Sequence, residues 1–318
     1  MTEAFRGLIT EIITPATANG QFDREGFRRL LDRAAGNSSA VLVNSVSAGE
    51  ALDLPAGTGR EIILEAMDAL RGRVVLFAGV TGRSSGETVS NVEFINNEAA
   101  AAEYPGEVFL VDAPLCYRGN RGLSAHYAGI TRLTRLPFIL MNDPLASRAA
   151  RTHFRRHNIR TNVLKKLSAN DSIKGIAHNG GMHRSLNYVK AVRHRPGFVF
   201  FDADEMNFLD SPGSGGVVSI GANILPTAWK QAVESSFGED ESAKRTESYR
   251  FELLQGRQEL KSLHLAYRAE PAGLVKAVLK DMGLIASDRV YRAGASVGEE
   301  KKQMILSLAG EILSKKES

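Results

Sequence analysis

The stretch Asp171–Gly181, D-S-I-K-G-I-A-H-N-G-G, decides how the rest of the chain is read. It predicts a short strand from Ser172 to Ala177 that runs into a polar, glycine-rich turn. The same unit recurs on both sides. Upstream, Phe138–Asn142 reads as a strand closed by Asp143-Pro144, with a basic helix between it and the opening stretch. Downstream, a helix over His183–Val192 leads to strands at Phe198–Phe201 and Gly216–Ile220. Towards the N-terminus the strands are Leu8–Ile13, Ala40–Val43, Val74–Val80 and Glu107–Asp112, which makes the opening stretch the sixth of eight.

Helical patterns fill the gaps. Asp23 is a natural N-cap, and Phe27, Leu30, Leu31 and Ala34 follow it at helical spacing. A second helix covers Gly59–Leu70. Ser84-Ser85-Gly86-Glu87 resembles a capping box before an alanine-rich helix that runs to about Glu103, and Ser124–Leu133 forms the next. The strands are continuous apolar runs without hairpin signals, as in parallel sheets covered on both faces. Strand and helix in strict alternation predict the α/β class and a (β/α)8 TIM barrel. From Ala222 the chain turns helical, over Ile224–Phe237, Glu239–Leu265, Pro271–Met282 and Ser296–Lys315, with Gly238 as a stop. The expected division is a barrel over 1–225 and C-terminal helices, 226–318, packed on it.

In a barrel of this kind the C-terminal strand ends carry the chemistry. Ala177 and His178 stand there on the sixth strand, so a methyl occupies a position where a reactive group is expected. His178 is a candidate general base or metal ligand, or else a loop histidine bonded to backbone. Asp112, Asp143, Asp202 and Asp204 fall at strand ends, where they either hold a divalent cation or cap the following helices. No His/Asp spacing selects a metal, and no cofactor is expected. Cys116 has no neighbour in sequence to activate it. Gly180-Gly181 opens either a phosphate nest or a plain tight turn.

Composition narrows the class. The 318 residues are 43% hydrophobic and 24% charged, ordinary for a globular protein. No run approaches eighteen apolar residues and no signal peptide is evident, so neither a membrane span nor secretion is expected. A single cysteine, Cys116, forms no intramolecular disulfide and fits the cytoplasm. The net charge of +4 is uneven: Arg148 to Arg195 holds twelve Lys or Arg and one acid, Asp171. That stretch is either an anion-binding surface or the solvated faces of two helices. No aromatic ladder accompanies it, so nucleic acid is not an expected partner.

Five segments in order resemble the dihydrodipicolinate synthase and N-acetylneuraminate lyase family of class I aldolases. Val46-Ser47-Ala48-Gly49-Glu50 with Leu54 is similar to the family's G-T-T-G-E segment, and Met141-Asn142-Asp143-Pro144 to its Y-N-x-P. Gly175-Ile176-Ala177 is similar to its G-I-K. Phe200–Asp204 and Gly216–Pro226 resemble its seventh- and eighth-strand signatures. The resemblance implies a barrel assembled as a homo-oligomer, a tetramer or dimer, that binds a small 2-keto acid or related carboxylate. It places Ser47, Ala48, Cys116, Asn142 and Ile220 around that ligand.

The resemblance also implies a strand-six lysine that forms a Schiff base, a strand-five tyrosine that relays protons, and two threonines that help hold the substrate carboxylate. Here those positions are Ala177, Met141, and Ser47 with Ala48. A methyl forms no imine, and a thioether passes no proton. The strand-four tyrosine is Tyr117 if one residue is inserted, and otherwise Cys116 holds that place. No lysine precedes Lys165. Of Lys165, Lys166, Lys174 and Lys190, only Lys174 lies on a strand, and alternation turns it away from Ala177's side unless the register slips by one. Three readings follow: a lyase-like enzyme working without an imine, with Ser47, Tyr117 and His178 as its polar contacts; a non-catalytic anion-binding or assembly protein; and a metal-dependent reaction at the aspartate rim.

Overall fold

A computed structural model of the chain describes residues 5–150, 156–213, 215–237, 247–292, 294 and 297–317. Eight parallel strands close into a barrel in sequence order, with β8 returning to β1. The order is β1 (Gly7–Glu11), α1 (Arg24–Ala35), β2 (Ala40–Val43), α2 (Thr58–Leu70), β3 (Val75–Gly79), α3 (Ser85–Ala101), β4 (Val108–Asp112) and α4 (Leu123–Ile130). There follow β5 (Phe138–Asn142), α5 (Pro144–Ala149), α6 (Thr161–Leu167), β6 (Ile173–His178), α7 (Met182–Val192), β7 (Val199–Asp202), α8 (Glu205–Asp210) and β8 (Gly216–Ser219). The seam between β8 and β1 needs glycine: a Cβ on Gly216, whose φ is +119°, would lie 1.9 Å from the carbonyl oxygen of Gly7.

Alternation along the strands sorts side chains into two cores. Ile9, Leu42, Phe77, Phe109, Val111, Ile139, Met141, Ala177, Val199, Phe201 and Val218 form one cluster, drawn from all eight strands, which fills the barrel interior. Leu8, Val41, Leu76, Leu110, Leu140, Ile176, Phe200 and Val217 face the other way and pack with helix residues such as Phe27, Leu30, Leu31, Ile62 and Ile63. The N-terminal end of the barrel is closed by rings: Phe5 lies 5.4 Å from Phe77, 6.1 Å from Phe109 and 6.0 Å from Phe201. The interior is therefore a packed core, and only the opposite end is free to build a site.

Local chemistry sets the helix starts. The Asp23 carboxylate accepts from Gly26 N and starts α1, whose buried face holds Phe27, Leu30, Leu31 and Ala34 as the spacing predicts. Ser84 Oγ accepts from Glu87 N while the Glu87 carboxylate accepts from Arg83 N, which starts α3. Asp143 and Asp204 cap α5 and α8. Helix α8 goes beyond the sequence expectation, and the basic helix expected after β5 contains two short described helices, α5 and α6. Residues 151–155 between them lie outside the described residues, as do Gly238, Glu239 and Ser296.

The C-terminal segment forms α9 (Pro226–Phe237), α10 (Glu247–Tyr267), α11 (Pro271–Asp281) and α12 (Glu299–Glu317). Polar latches join it to the barrel. Asn223 donates to the carbonyls of Glu11 at 2.8 Å and Ile220 at 2.7 Å, and its Oδ1 accepts from Ile13 N. Buried Glu205 on α8 accepts from Ser219 Oγ, Gly221 N, His264 Nδ1 and the Tyr267 hydroxyl, which pins α10 against β8. Burial raises the Glu205 carboxyl, but the His264 bond and charge outweigh it and hold Glu205 below the usual range. Among the described residues no helix is long and apolar enough to cross a membrane.

Candidate functional site

Strand parity decides what faces the open end of the barrel. Glu11 is two residues beyond Ile9 and shares its inward face, at 4% exposure. Met141 and Ala177 are direct cross-strand partners on β5 and β6, and both belong to the inner cluster. The remaining space is bounded by Glu11, Asn44, Ser45, Val46, Ser47, Gly79, Thr81, Val111, Ala113 and Met141. It amounts to about 10 Å³, the room of one water molecule. Among the described residues that bound this space, Glu11 is the only ionisable one.

The segment after β2 supplies the polar half. Asn44 and Glu50 both adopt left-handed conformations, with φ of 55° and 52°, so residues 45–49 fold into a compact loop over the barrel end. Within it, Ser47 Oγ donates to Glu11 Oε1, and Ala48 N donates to the same oxygen at 3.1 Å. The loop is held from behind by a buried ion pair. Lys276 on α11, fully buried, donates to Glu50 Oε2 and to the carbonyl of Arg289 at 2.9 Å. Tyr291 N donates to Glu50 Oε1 at 2.8 Å. Burial raises the Glu11 carboxyl above the usual range; donors from Ser45, Ser47 and Ala48 pull the other way, and Asp143 adds repulsion.

Most of the polar residues at the strand ends face outwards. Asp112 is fully buried and accepts from Thr81 Oγ1 at 2.9 Å, the Tyr117 hydroxyl at 2.7 Å and the Tyr127 hydroxyl at 2.6 Å. Tyr117 also meets His126 Nε2 at 3.0 Å. Burial and Asp112 push the Tyr117 hydroxyl far above the usual phenol range, so it keeps its proton and acts as a donor. The Tyr117 hydroxyl is thus committed to the helix side.

His178 follows inward Ala177 and so points outwards. Its Nδ1 lies 2.9 Å from Asn142 Nδ2, its ring packs edge-on against Tyr188, and its exposure is 1%. Burial lowers it to about 4, which leaves it neutral. Its Nε2 is buried and has no hydrogen-bond partner among the described residues, and Gly180 packs directly on the ring, where a Cβ would lie 3.0 Å from that atom. Asn142 is equally committed, with Oδ1 accepting from Ile159 N and Nδ2 donating to Asn158 Oδ1. Asp202, raised to about 7 by burial and by Asp204, also follows an inward residue, Phe201. Among the described residues no three His, Cys, Asp or Glu side chains gather in a metal-holding group.

The structure therefore brings Ser47 and the backbone of Ala48 onto Glu11 and places Met141 on the same wall. Cys116 packs in the inner cluster with its thiol pushed well above the usual range by burial. Ile220 packs against the helix-side core, away from the inner cluster. Asn142, Tyr117 and His178 are turned to the helix layer. Glu11, Lys276 and Glu205 have no part in the sequence reading. Glu11 alone carried a signal, as the one acid in an apolar strand and in phase with Ile9.

Lys174 is exposed. The pairing of β5 with β6 slips by one at this point: Phe138 faces Ile173 and Ile139 faces Gly175, so Lys174 is the extra residue of a bulge. The slip sends Lys174 to solvent and leaves Ala177 opposite Met141. Other basic residues sit at the far end. Lys165, Lys190, Arg193 and His194 line a depression of about 420 Å³ near the C-terminal ends of α6 and α7, which lead back to the starts of β6 and β7.

Fold and mouth define a (β/α)8 barrel with the buried Glu11 carboxyl and a compact loop at the strands' C-terminal ends. The chain belongs to the dihydrodipicolinate synthetase family, whose model matches residues 4–311. It is 29% identical over 281 residues to the 4-hydroxy-tetrahydrodipicolinate synthase of Stenotrophomonas maltophilia strain R551-3, covering 87% of each chain. It is 29% identical over 226 residues to that of Xylella fastidiosa, covering 70% of each. Among solved structures, the 4-hydroxy-tetrahydrodipicolinate synthase of Methylacidiphilum fumariolicum SolV superposes with a TM-score of 0.78 at 27% identity, over 98% of both chains. Dihydrodipicolinate synthase from Aquifex aeolicus gives 0.78 at 21% identity, over 98% of both, and shows the fold alone.

Proposed function

We propose that this chain is a lyase-family barrel in which imine chemistry has been lost and which serves as a non-catalytic small-anion-binding or assembly protein. The observation that carries the reading is the inner wall itself. Ala177 and Met141 face each other where an amine and a phenol would be needed, and no lysine is among the residues that bound the cavity. An iminium requires a neutral amine within bonding distance of a carbonyl carbon. Asp112, Asn142 and His178, which follow inward residues on their strands, and Tyr117 support the same reading because each is buried or committed on the outer face.

A second reading keeps a small 2-keto acid or related carboxylate as the ligand. It is supported by Ser47 Oγ and Ala48 N, which converge on a carboxylate oxygen, although that oxygen is the chain's own. Assembly as a homo-oligomer belongs to both readings.

The test is reductive trapping. Borohydride added with pyruvate should leave the intact mass unchanged. An adduct on any lysine would restore the class I mechanism and end the proposal.

A further inference from the structure

We infer that Glu11 is a resident occupant of the barrel mouth: its side-chain carboxylate fills a carboxylate-sized cradle and thereby excludes small carboxylate ligands. The inference deepens the non-imine reading and rests on it for its biological sense, though its chemistry stands apart.

Three observations carry it. First, the donors are in use. Ser47 Oγ and Ala48 N both point at Glu11 Oε1. Converging backbone and hydroxyl donors over a closed apolar floor form an arrangement that selects a carboxylate. Second, the space is in use. Beside Glu11 only about 10 Å³ is left, enough for a water and too small for a two-carbon acid. Third, the occupant is held in place from both sides. The carbonyl of Glu11 accepts from Asn223 Nδ2 at 2.8 Å, and the loop that carries the donors is tied to Lys276 through Glu50. A carboxylate ligand would have to displace a tethered carboxylate that competes intramolecularly for the same donors. It would also face like charge in a space whose described lining carries no cation.

Truncation exposes the cradle. Glu11→Ala removes one methylene and one carboxylate, the atoms of an acetate ion less a hydrogen. The donors are left facing a cavity of that size, so acetate should enter. Acetate has no keto group, so its binding is independent of any imine and separates this inference from the trapping result.

The experiment is calorimetric and thermal-shift titration of the full chain with sodium acetate, against chloride at matched ionic strength. Wild type should show no saturable binding. Glu11→Ala should bind acetate saturably, and Glu11→Ala/Ser47→Ala should bind roughly tenfold more weakly because one charged hydrogen bond is gone. Glu11→Gln, which keeps an acceptor in the cradle, should not bind acetate. If Glu11→Ala does not fold alone, its refolding yield in acetate against chloride becomes the readout, and recovery in acetate alone supports the inference. Saturable binding to wild type or to Glu11→Gln, no binding to folded Glu11→Ala, or equal refolding in both salts would overturn it.

Discussion

The inner and outer faces of the barrel mouth are built from neighbouring residues and have opposite chemistry. Inside, Met141, Ala177, Val111 and Ala113 leave an apolar wall beside the Glu11 carboxyl. Outside, one residue away along the same strands, Asp112, Asn142 and His178 are buried in hydrogen-bonded networks with Thr81, Tyr117, Tyr127, Asn158 and the Ile159 backbone. A family enzyme would need reactive groups inside. Here the polar residues that look reactive serve the joint between strands and helices, and inside the Glu11 carboxyl is met by Ser47 Oγ and Ala48 N. Residue type at a strand end does not assign a role until the face is known.

If the outer networks are structural and the inner carboxyl is an occupant, substitutions on the two sides should differ in cost. The largest effect belongs to the clamp behind the loop. Lys276→Met leaves Glu50 buried without its cation and should cost about 3–5 kcal/mol in urea unfolding. Adding Glu50→Gln should recover part of it, and a single variant as stable as wild type would mean the clamp is not closed. Next comes Asp112→Asn, which weakens three hydroxyl bonds to a buried carboxylate and should cost about 1.5–3 kcal/mol.

Glu11→Gln should move stability by less, within about 1 kcal/mol at neutral pH, because a buried charge is replaced by an isosteric acceptor. A larger loss at Glu11 than at Asp112 would invert the comparison. The sign with pH follows from the raised Glu11 carboxyl. The folded state holds that proton more tightly, so wild-type stability from this group falls as pH climbs above the ordinary glutamate value. The advantage of Glu11→Gln should therefore grow with pH. At neutral pH the smallest effect concerns His178, which burial lowers to about 4 from 6.5. Between those values the unfolded chain binds the extra proton, so this group's share of stability falls as pH drops from 6.5 towards 4. His178→Gln should flatten the melting-temperature profile in that window, and an unchanged profile would show that the imidazole titrates freely.

The barrel was legible in the sequence because its signals are local and repeat eight times: an apolar run, a polar turn, an N-cap such as Asp23 or Ser84, and an amphipathic helix. That Ala177 and Met141 lie side by side was legible in part through motif register, and the structure pairs them on the inner face. The same alternation encodes more than was read from it: an inward Ala177 turns His178 outwards, away from the ligand contact expected of it, and an inward Ile9 turns Glu11 inwards. The bulge at Lys174 and the partners of Glu50 and Glu205 were not legible. Lys276 lies 226 residues from Glu50, and His264 lies 59 from Glu205, so no local spacing encodes either contact.

The measurement that tests the central claim most directly is a crystal structure of the wild-type protein grown in saturating pyruvate. The account predicts the Glu11 carboxylate on Ser47 Oγ and Ala48 N, an unmodified Ala177 wall, and no pyruvate in the barrel. Glu11 swung out with pyruvate in its place, or density joining pyruvate to a lysine, would contradict it.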